Sequence, residues 1–229
     1  MILAGFQKNS TIDFPGKLSC VIFAANCNYD CYYCHNRHLL GAQEKVFEQE
    51  IFEFLNKRRG LIEGVVITGG EPALYDDLPE FTEKIKKLDY EVKLDTNGSS
   101  PEMVKSLIEG KLLDFVAIDY KAPFEKYDII NAVKDTEINK EKVTESMEYV
   151  MNSGIDYEIR TTMVPEITED DIIGMAKSFP EFNSFILQKY RPVPDDTGER
   201  PGRIYYKKED LERISEIIKK YQPNVSIRA

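Results

Sequence analysis

Six short, nearly continuous apolar runs, separated by amphipathic stretches, constrain this sequence more than any other feature. They cover residues 18–24, 64–68, 91–95, 114–119, 157–164 and 184–190. A strand buried on both faces reads this way. Between the runs, apolar residues recur at helical spacing: Phe47, Ile51, Phe54 and Leu55, then Leu78, Phe81, Ile85 and Leu88, and later Val143, Met147, Val150 and Met151. Ser100-Pro101 has the form of a helix start, Gly110 and Gly154 of helix stops, and Thr168 of a cap for a helix bearing Ile172, Ile173 and Ala176. A last amphipathic stripe, Leu211 to Tyr221, precedes a short strand over 224–228.

Strand–helix alternation predicts parallel strands joined by right-handed crossovers. A complete eight-unit barrel takes roughly 250 residues, and this chain has 229. The expected fold is therefore α/β: an incomplete TIM-like barrel of about six βα units. No Ser- or Gly-rich linker divides the chain, so 1–229 is read as a single domain, with the charged segment 123–139 as a loop excursion.

Composition narrows the class. With 42% hydrophobic and 31% charged residues the chain is globular, and a net charge of −10 argues against a nucleic-acid binder, which carries a basic face. No apolar run approaches the ~20 residues of a spanning helix. The N-terminus lacks the pattern of a signal peptide. The expectation is a cytoplasmic protein without membrane contact, whose four cysteines are not disulfide staples.

Three of those cysteines stand together, Cys27, Cys31 and Cys34, in C-x3-C-x2-C spacing directly after the first apolar run. Active sites of parallel α/β folds lie at the C-terminal ends of strands, and soft thiolates select zinc or iron–sulfur clusters. Three readings stay open: an iron–sulfur cube with one iron free for a small molecule, a zinc site with His35 or His38 as fourth ligand, and structural or redox cysteines. Cys20, inside the first run, reads as a core residue.

Thr68-Gly69-Gly70-Glu71-Pro72 follows the second run. Paired glycines admit close backbone approach to a ligand, and the carboxylate can meet an ammonium group; alone, the motif also reads as a turn before a helix. Asp95-Thr96-Asn97-Gly98 ends the third run and Asp119-Tyr120-Lys121 the fourth. Each alone reads as a cap or turn. Following four successive strands, they converge on one mouth of one barrel.

The cysteine motif together with Gly69-Gly70-Glu71-Pro72 resembles the radical S-adenosylmethionine superfamily. Cys34-His35-Asn36 and Thr11-Ile12-Asp13-Phe14-Pro15-Gly16 resemble its glycyl-radical-enzyme activases. With Gly5-Phe6-Gln7-Lys8, the sequence is most similar to the activating proteins of anaerobic ribonucleoside-triphosphate reductase.

That resemblance implies a [4Fe–4S] cluster on Cys27, Cys31 and Cys34. It implies reductive cleavage of S-adenosylmethionine to a 5′-deoxyadenosyl radical, which abstracts hydrogen from a glycine of a partner enzyme. By the same resemblance, Tyr33, His35 and Asn36 border the adenine, and Gly69, Gly70, Glu71 and Pro72 bind the methionine end. Asp95, Thr96, Asp119 and Lys121 surround the methionine carboxylate, in some relatives with a monovalent cation. Arg160 lines the barrel and Asp13 meets the glycine loop. The implied partners are a glycyl-radical enzyme, the anaerobic reductase, and an electron donor such as flavodoxin or ferredoxin. Formate-lyase activases carry a histidine where this chain has Gln188 or Tyr190, a departure that leaves the local role open. Two alternatives accompany this reading: a small-molecule radical S-adenosylmethionine enzyme of the deazapurine type, and a non-catalytic zinc- or cluster-binding protein.

Overall fold

The computed structural model describes residues 1–43, 45–131, 140–193 and 205–228. Eight strands form one sheet in chain order: β1 (Leu3–Ser10), β2 (Ser19–Ala24), β3 (Gly64–Gly69), β4 (Glu91–Thr96), β5 (Phe115–Asp119), β6 (Asp156–Met163), β7 (Phe185–Lys189) and β8 (Val225–Arg228). From β2 to β8 every pairing is parallel. The order shows six βα units and a sheet whose two edges, β1 and β8, stay apart: an incomplete barrel, as expected.

The helices are α1 (Glu48–Lys57), α2 (Leu78–Lys86), α3 (Pro101–Glu109), α4 (Tyr127–Ile130), α5 (Lys140–Asn152), α6 (Glu169–Lys177) and α7 (Lys208–Ile218). No helix among the described residues is long and apolar enough to cross a membrane. The main core lies between sheet and helices. Ile22, Ile67, Leu94, Ile118, Ile159 and Leu187 are fully buried there, against residues such as Leu55, Ile85, Leu107, Met147, Ile172 and Ile214.

Two segments differ from the sequence reading. β1 pairs antiparallel with β2 and has no counterpart in the apolar runs. It is an edge strand with Gln7, Lys8 and Asn9 exposed, so it lacks the two-sided burial that gives the other strands their signature. The excursion over 123–139 holds a 3-10 turn (Phe124–Lys126) and α4, because Phe124 and Tyr127 stack and Tyr127 is buried. Residues 132–139 lie outside the described residues.

Strand residues alternate between faces, so those one place from the core face point into the barrel. Phe14, Val21 and Val66 form a second apolar cluster there, joined by Phe115. Phe14 comes from the loop between β1 and β2 and lies over Gly64, where an added β-carbon would stand 2.6 Å from its ring. This cluster closes the lumen at the N-terminal end of the strands. Above it the inward residues turn charged: Lys93 and Asp95 on β4, Asp119 on β5, Glu158 and Arg160 on β6 and Arg228 on β8.

Candidate active site

Beyond β2 the chain turns through Asn26, at φ 56°, into the cysteine loop. The loop folds back on itself: Asn26 N–H donates to the Leu39 carbonyl at 3.1 Å, and Cys34 N–H to that of Cys31 at 3.0 Å. Cys27, Cys31 and Cys34 all line one cavity of about 740 Å³ at the C-terminal end of the strands. Cys27 accepts from Tyr29 N–H at 3.3 Å and from Asn97 Nδ2 at 3.8 Å. Burial pushes the Cys27 thiol up to about 12 and raises Cys31 and Cys34, while the Lys121 ammonium opposes the rise at all three. Ligation requires the thiolate, so metal binding here releases protons. Cys20 lies in the main core, away from the cavity.

The two glycines after β3 are required by the protein's own backbone. A β-carbon on Gly69, which has φ 117°, would stand 2.4 Å from the Ala24 carbonyl oxygen, and one on Gly70 would stand 1.7 Å from that of Asn26. Without side chains, Gly70 N–H reaches the Ala24 carbonyl at 2.9 Å and Glu71 N–H reaches that of Asn26 at 2.8 Å. Asn36 Nδ2 donates to the Gly69 carbonyl at 3.1 Å. The β3 end is thereby locked onto the residues that lead into Cys27.

Glu71 is 1% exposed. Its Oε1 accepts from Thr96 Oγ1 at 2.7 Å and Ala73 N–H at 3.0 Å, and its Oε2 accepts from Asn97 N–H at 2.6 Å. One carboxyl group thus ties the loop after β3 to the end of β4. Burial raises its pKa to about 7 against these three donors. Pro72 opens the 3-10 turn that Glu71 caps and does not line the cavity.

Deeper in the lumen lies a lattice of ion pairs. Arg160 bridges two carboxylates, with Nη1 3.1 Å from Asp95 Oδ2 and Nε 2.8 Å from Asp119 Oδ1. Lys93 takes the other oxygen of Asp95, and Lys121 lies 3.1 Å from the other oxygen of Asp119. Arg228 binds Glu158 through both guanidinium nitrogens, at 3.0 and 3.4 Å. Burial alone would raise Asp119, but Arg160 and Lys121 outweigh it and hold the carboxyl well below the usual range. Four cations here meet three carboxylates, so the lattice carries one positive charge in excess.

The radical SAM superfamily model matches residues 21–179. The chain belongs to the radical SAM superfamily. Across its whole length this radical SAM protein is similar to MJ1227 of Methanocaldococcus jannaschii, provisionally named a glycyl-radical enzyme activating enzyme. The two are 35% identical over 99% of this chain and 95% of the relative. Identity to the pyruvate formate-lyase 1-activating enzyme of Escherichia coli (strain K12) is 25%, covering 94% of each. Among solved structures, Streptococcus suis SuiB bound to S-adenosylmethionine superposes with a TM-score of 0.69 at 17% identity, covering 91% of this chain. The chain spans about half the length of SuiB, 50%, and this likeness concerns the fold. A radical SAM protein implies a [4Fe–4S] cluster and S-adenosylmethionine, and homology to activating enzymes implies a glycyl-radical enzyme as partner.

The donor set fits such a cluster. Three soft thiols share one cavity wall with no fourth cysteine beside them. The Tyr29 hydroxyl, between Cys27 and Cys31 in sequence, is buried, and Tyr29 belongs to the same cavity wall; the hydroxyl has no hydrogen-bond partner among the described residues. As the chain stands, no three His, Cys, Asp or Glu side chains among the described residues are gathered to hold a metal ion.

Tyr33, His35, Asn36, Gly69, Gly70, Glu71, Asp95, Thr96, Asp119, Lys121, Arg160 and Gln188 all line the cavity, and so does Tyr190. Thr162 Oγ1 donates to Gln188 Oε1 at 3.3 Å. Asp13 does not line it: its carboxylate takes the Ser10 hydroxyl, and the neighbouring Ile12, 77% exposed, reaches the cavity instead. Sequence reasoning missed Lys93, Glu158, Arg228 and Tyr29, and named Asn97 only within the Asp95–Gly98 motif, without a role. The alternation Glu91-Val-Lys93-Leu-Asp95 already puts Lys93 and Asp95 on one face of a strand and was the available signal.

Proposed function

We propose that this chain activates a glycyl-radical enzyme, the anaerobic ribonucleoside-triphosphate reductase. The observation that carries the reading is one cavity with two chemically distinct walls: three thiols on the loop after β2, and the Arg160-centred lattice across from them. The full-length similarity to activating enzymes supports a protein substrate and favours no small-molecule alternative. The Gly5-Phe6-Gln7-Lys8 and Thr11–Gly16 stretches support the choice of reductase.

In this reading Cys27, Cys31 and Cys34 hold the cluster. The chemistry supplied by cluster and S-adenosylmethionine is one-electron cleavage of the sulfonium to methionine and a 5′-deoxyadenosyl radical, which takes a hydrogen atom from a partner glycine. The residues do the rest. The excess positive charge around Asp119, Lys121 and Arg160 receives the methionine carboxylate. Asn36 and Glu71 fix the backbone around Gly69 and Gly70, which presents itself to the methionine ammonium. All four oxygens of Asp95 and Asp119 already face protein cations, so no monovalent cation is assigned to them. Tyr33, buried to 9% exposure, and His35 border the adenine.

The test is anaerobic reconstitution followed by reduction and incubation with the candidate reductase. Electron paramagnetic resonance is expected to show a glycyl radical on the reductase, and chromatography to show 5′-deoxyadenosine. A loaded, reduced enzyme that forms no 5′-deoxyadenosine overturns the activity. Cofactor cleavage without a glycyl radical overturns the choice of partner.

A further inference from the structure

Tyr29 stands midway between Cys27 and Cys31 and lines the cavity that they share. It is 4% exposed, and its hydroxyl is a buried polar group with no hydrogen-bond partner among the described residues. Leaving a buried hydroxyl unpaired is costly, and native proteins leave few of them. A phenylalanine would supply the same ring without that cost.

The ring is held in place. It meets Tyr127 edge-to-face, with 6.5 Å between centroids and 86° between planes. The Tyr29 N–H donates to Cys27 Sγ at 3.3 Å, and the next N–H, that of Asp30, donates to the Asn131 side chain at 2.7 Å. The acceptors nearby already serve other donors. The Tyr127 hydroxyl accepts from Lys121 N–H at 3.2 Å, and the Glu71 carboxylate holds the three donors described above. Yet the side chains of Lys121, Glu71, Cys31 and Cys27 all lie within electrostatic reach of the Tyr29 hydroxyl. Its unused hydrogen bond therefore belongs to the cysteine site and not to the apolar core behind it.

We propose that the Tyr29 hydroxyl donates a hydrogen bond to a sulfur of the iron–sulfur cluster held by Cys27, Cys31 and Cys34, and thereby raises the reduction potential of that cluster. The inference rests on the cluster reading above. A phenolic O–H is a donor, and a thiolate or sulfide sulfur is an acceptor. The same wall already turns donors toward sulfur: Cys27 accepts from Tyr29 N–H and from Asn97 Nδ2. Reduction adds one electron, and so one negative charge, to the cluster; no covalent bond forms or breaks, and the hydroxyl keeps its proton. A hydrogen bond to a more strongly charged acceptor is stronger, so the donor favours the reduced form. Hydrogen bonds to the sulfurs are among the levers by which proteins set such potentials. Tyr29 in this role tunes electron uptake and does not hold the metal.

Tyr29→Phe tests this, because it removes the hydroxyl and keeps the ring. The full-length wild type and variant are reconstituted with iron and sulfide and titrated in an anaerobic electrochemical cell without S-adenosylmethionine. Electron paramagnetic resonance counts the reduced cluster. Iron content is expected to be equal in the two proteins. The midpoint is expected to fall in the variant, so that at a fixed potential the ratio of reduced to oxidised cluster drops about ten-fold, which for one electron is ~59 mV. Tyr127→Phe, which deletes a hydroxyl that already has its partner, is expected to leave the midpoint in place. Equal midpoints for wild type and Tyr29→Phe overturn the proposal. An equal fall in Tyr127→Phe overturns it too, since the effect then comes from the ring environment. If Tyr29→Phe takes up less iron, ortho-fluorotyrosine in place of Tyr29 decides: it is the stronger donor and is expected to raise the midpoint, and an unchanged midpoint overturns the proposal. A wild-type protein that loads no iron strikes the cluster reading itself, and this proposal with it.

Discussion

Gly70 lies against Asn26 so closely that a β-carbon on it would stand 1.7 Å from the Asn26 carbonyl oxygen. The contact joins the end of β3 to the residue before Cys27, so the glycine shapes the cysteine loop from behind. Gly70→Ala has to push the two segments apart. We expect it to destabilise the protein by about 2 kcal/mol or more, at the upper part of the range for overpacking, and to lower iron loading. Urea unfolding and iron analysis measure the two effects. Unchanged stability would mean that the loop yields freely.

Glu71 predicts a pH dependence. Its carboxyl titrates near 7 in the folded protein against an ordinary value of 4.5. Between those values the folded state holds the proton and the unfolded state releases it, so the contribution is complete below pH 4.5 and is lost as pH rises through 7. The metal-free protein is expected to lose stability over this window by something on the order of 3 kcal/mol, from the size of the shift. Glu71→Gln, which cannot titrate, should flatten that slope. Unfolding at pH 5 and pH 7.5 for both proteins decides it; parallel slopes would count against a raised Glu71.

The ion lattice separates residues for folding from residues for the cofactor. The Lys93 side chain is 1% exposed and that of Asp119 is 32% exposed. Lys93→Ala leaves a cavity and removes one partner of half-buried Asp95, and is expected to cost about 3 kcal/mol or more of stability. Asp119→Asn keeps its shape at the cavity surface. It should cost about 2 kcal/mol, less than Lys93→Ala because its side chain is partly exposed, while weakening S-adenosylmethionine binding about ten-fold, because Lys121 and Arg160 lose the carboxylate that orients them. Calorimetric binding and thermal unfolding of both variants test the contrast. Equal destabilisation by the two would assign Asp119 to the fold.

Cys27, Cys31 and Cys34 are each expected to be needed for the cluster, and Cys20 not. Cys20 has no exposed surface and lies on the core face of β2. Iron and sulfide content after anaerobic reconstitution of the four Ala variants reads this directly. Full iron retention by any of the three loop variants would break the ligand assignment.

The sequence made most of this legible because two-sided burial writes itself as apolar runs: β2 through β7 lie where those runs stand, and β8 where the short last strand over 224–228 is expected. β1 escaped because an edge strand with Gln7, Lys8 and Asn9 exposed carries no such run. The candidate site was legible in most of its motif residues, which lie at strand ends and face one cavity, Asp13 and Pro72 excepted. What escaped was the reason for some of them. Gly69 and Gly70 read as an opening for a ligand, yet the chain's own carbonyls at Ala24 and Asn26 already exclude a side chain there. Glu71 read as a free carboxylate, yet three protein donors hold it. Contacts between residues 24–26 and 69–71 are set by the closeness of neighbouring strands, which no local pattern records. Lys93 and Glu158 stayed hidden because each interrupts an apolar run without ending it.

Phe14, wedged over Gly64, makes the lumen a blind tube. Whatever enters from the cysteine end leaves by that end or through the gap between β1 and β8. In the proposed activation cycle, entry and exit therefore share the same openings: a glycine segment seated in the mouth at the cysteine end leaves methionine and 5′-deoxyadenosine only the gap between β1 and β8 until it withdraws.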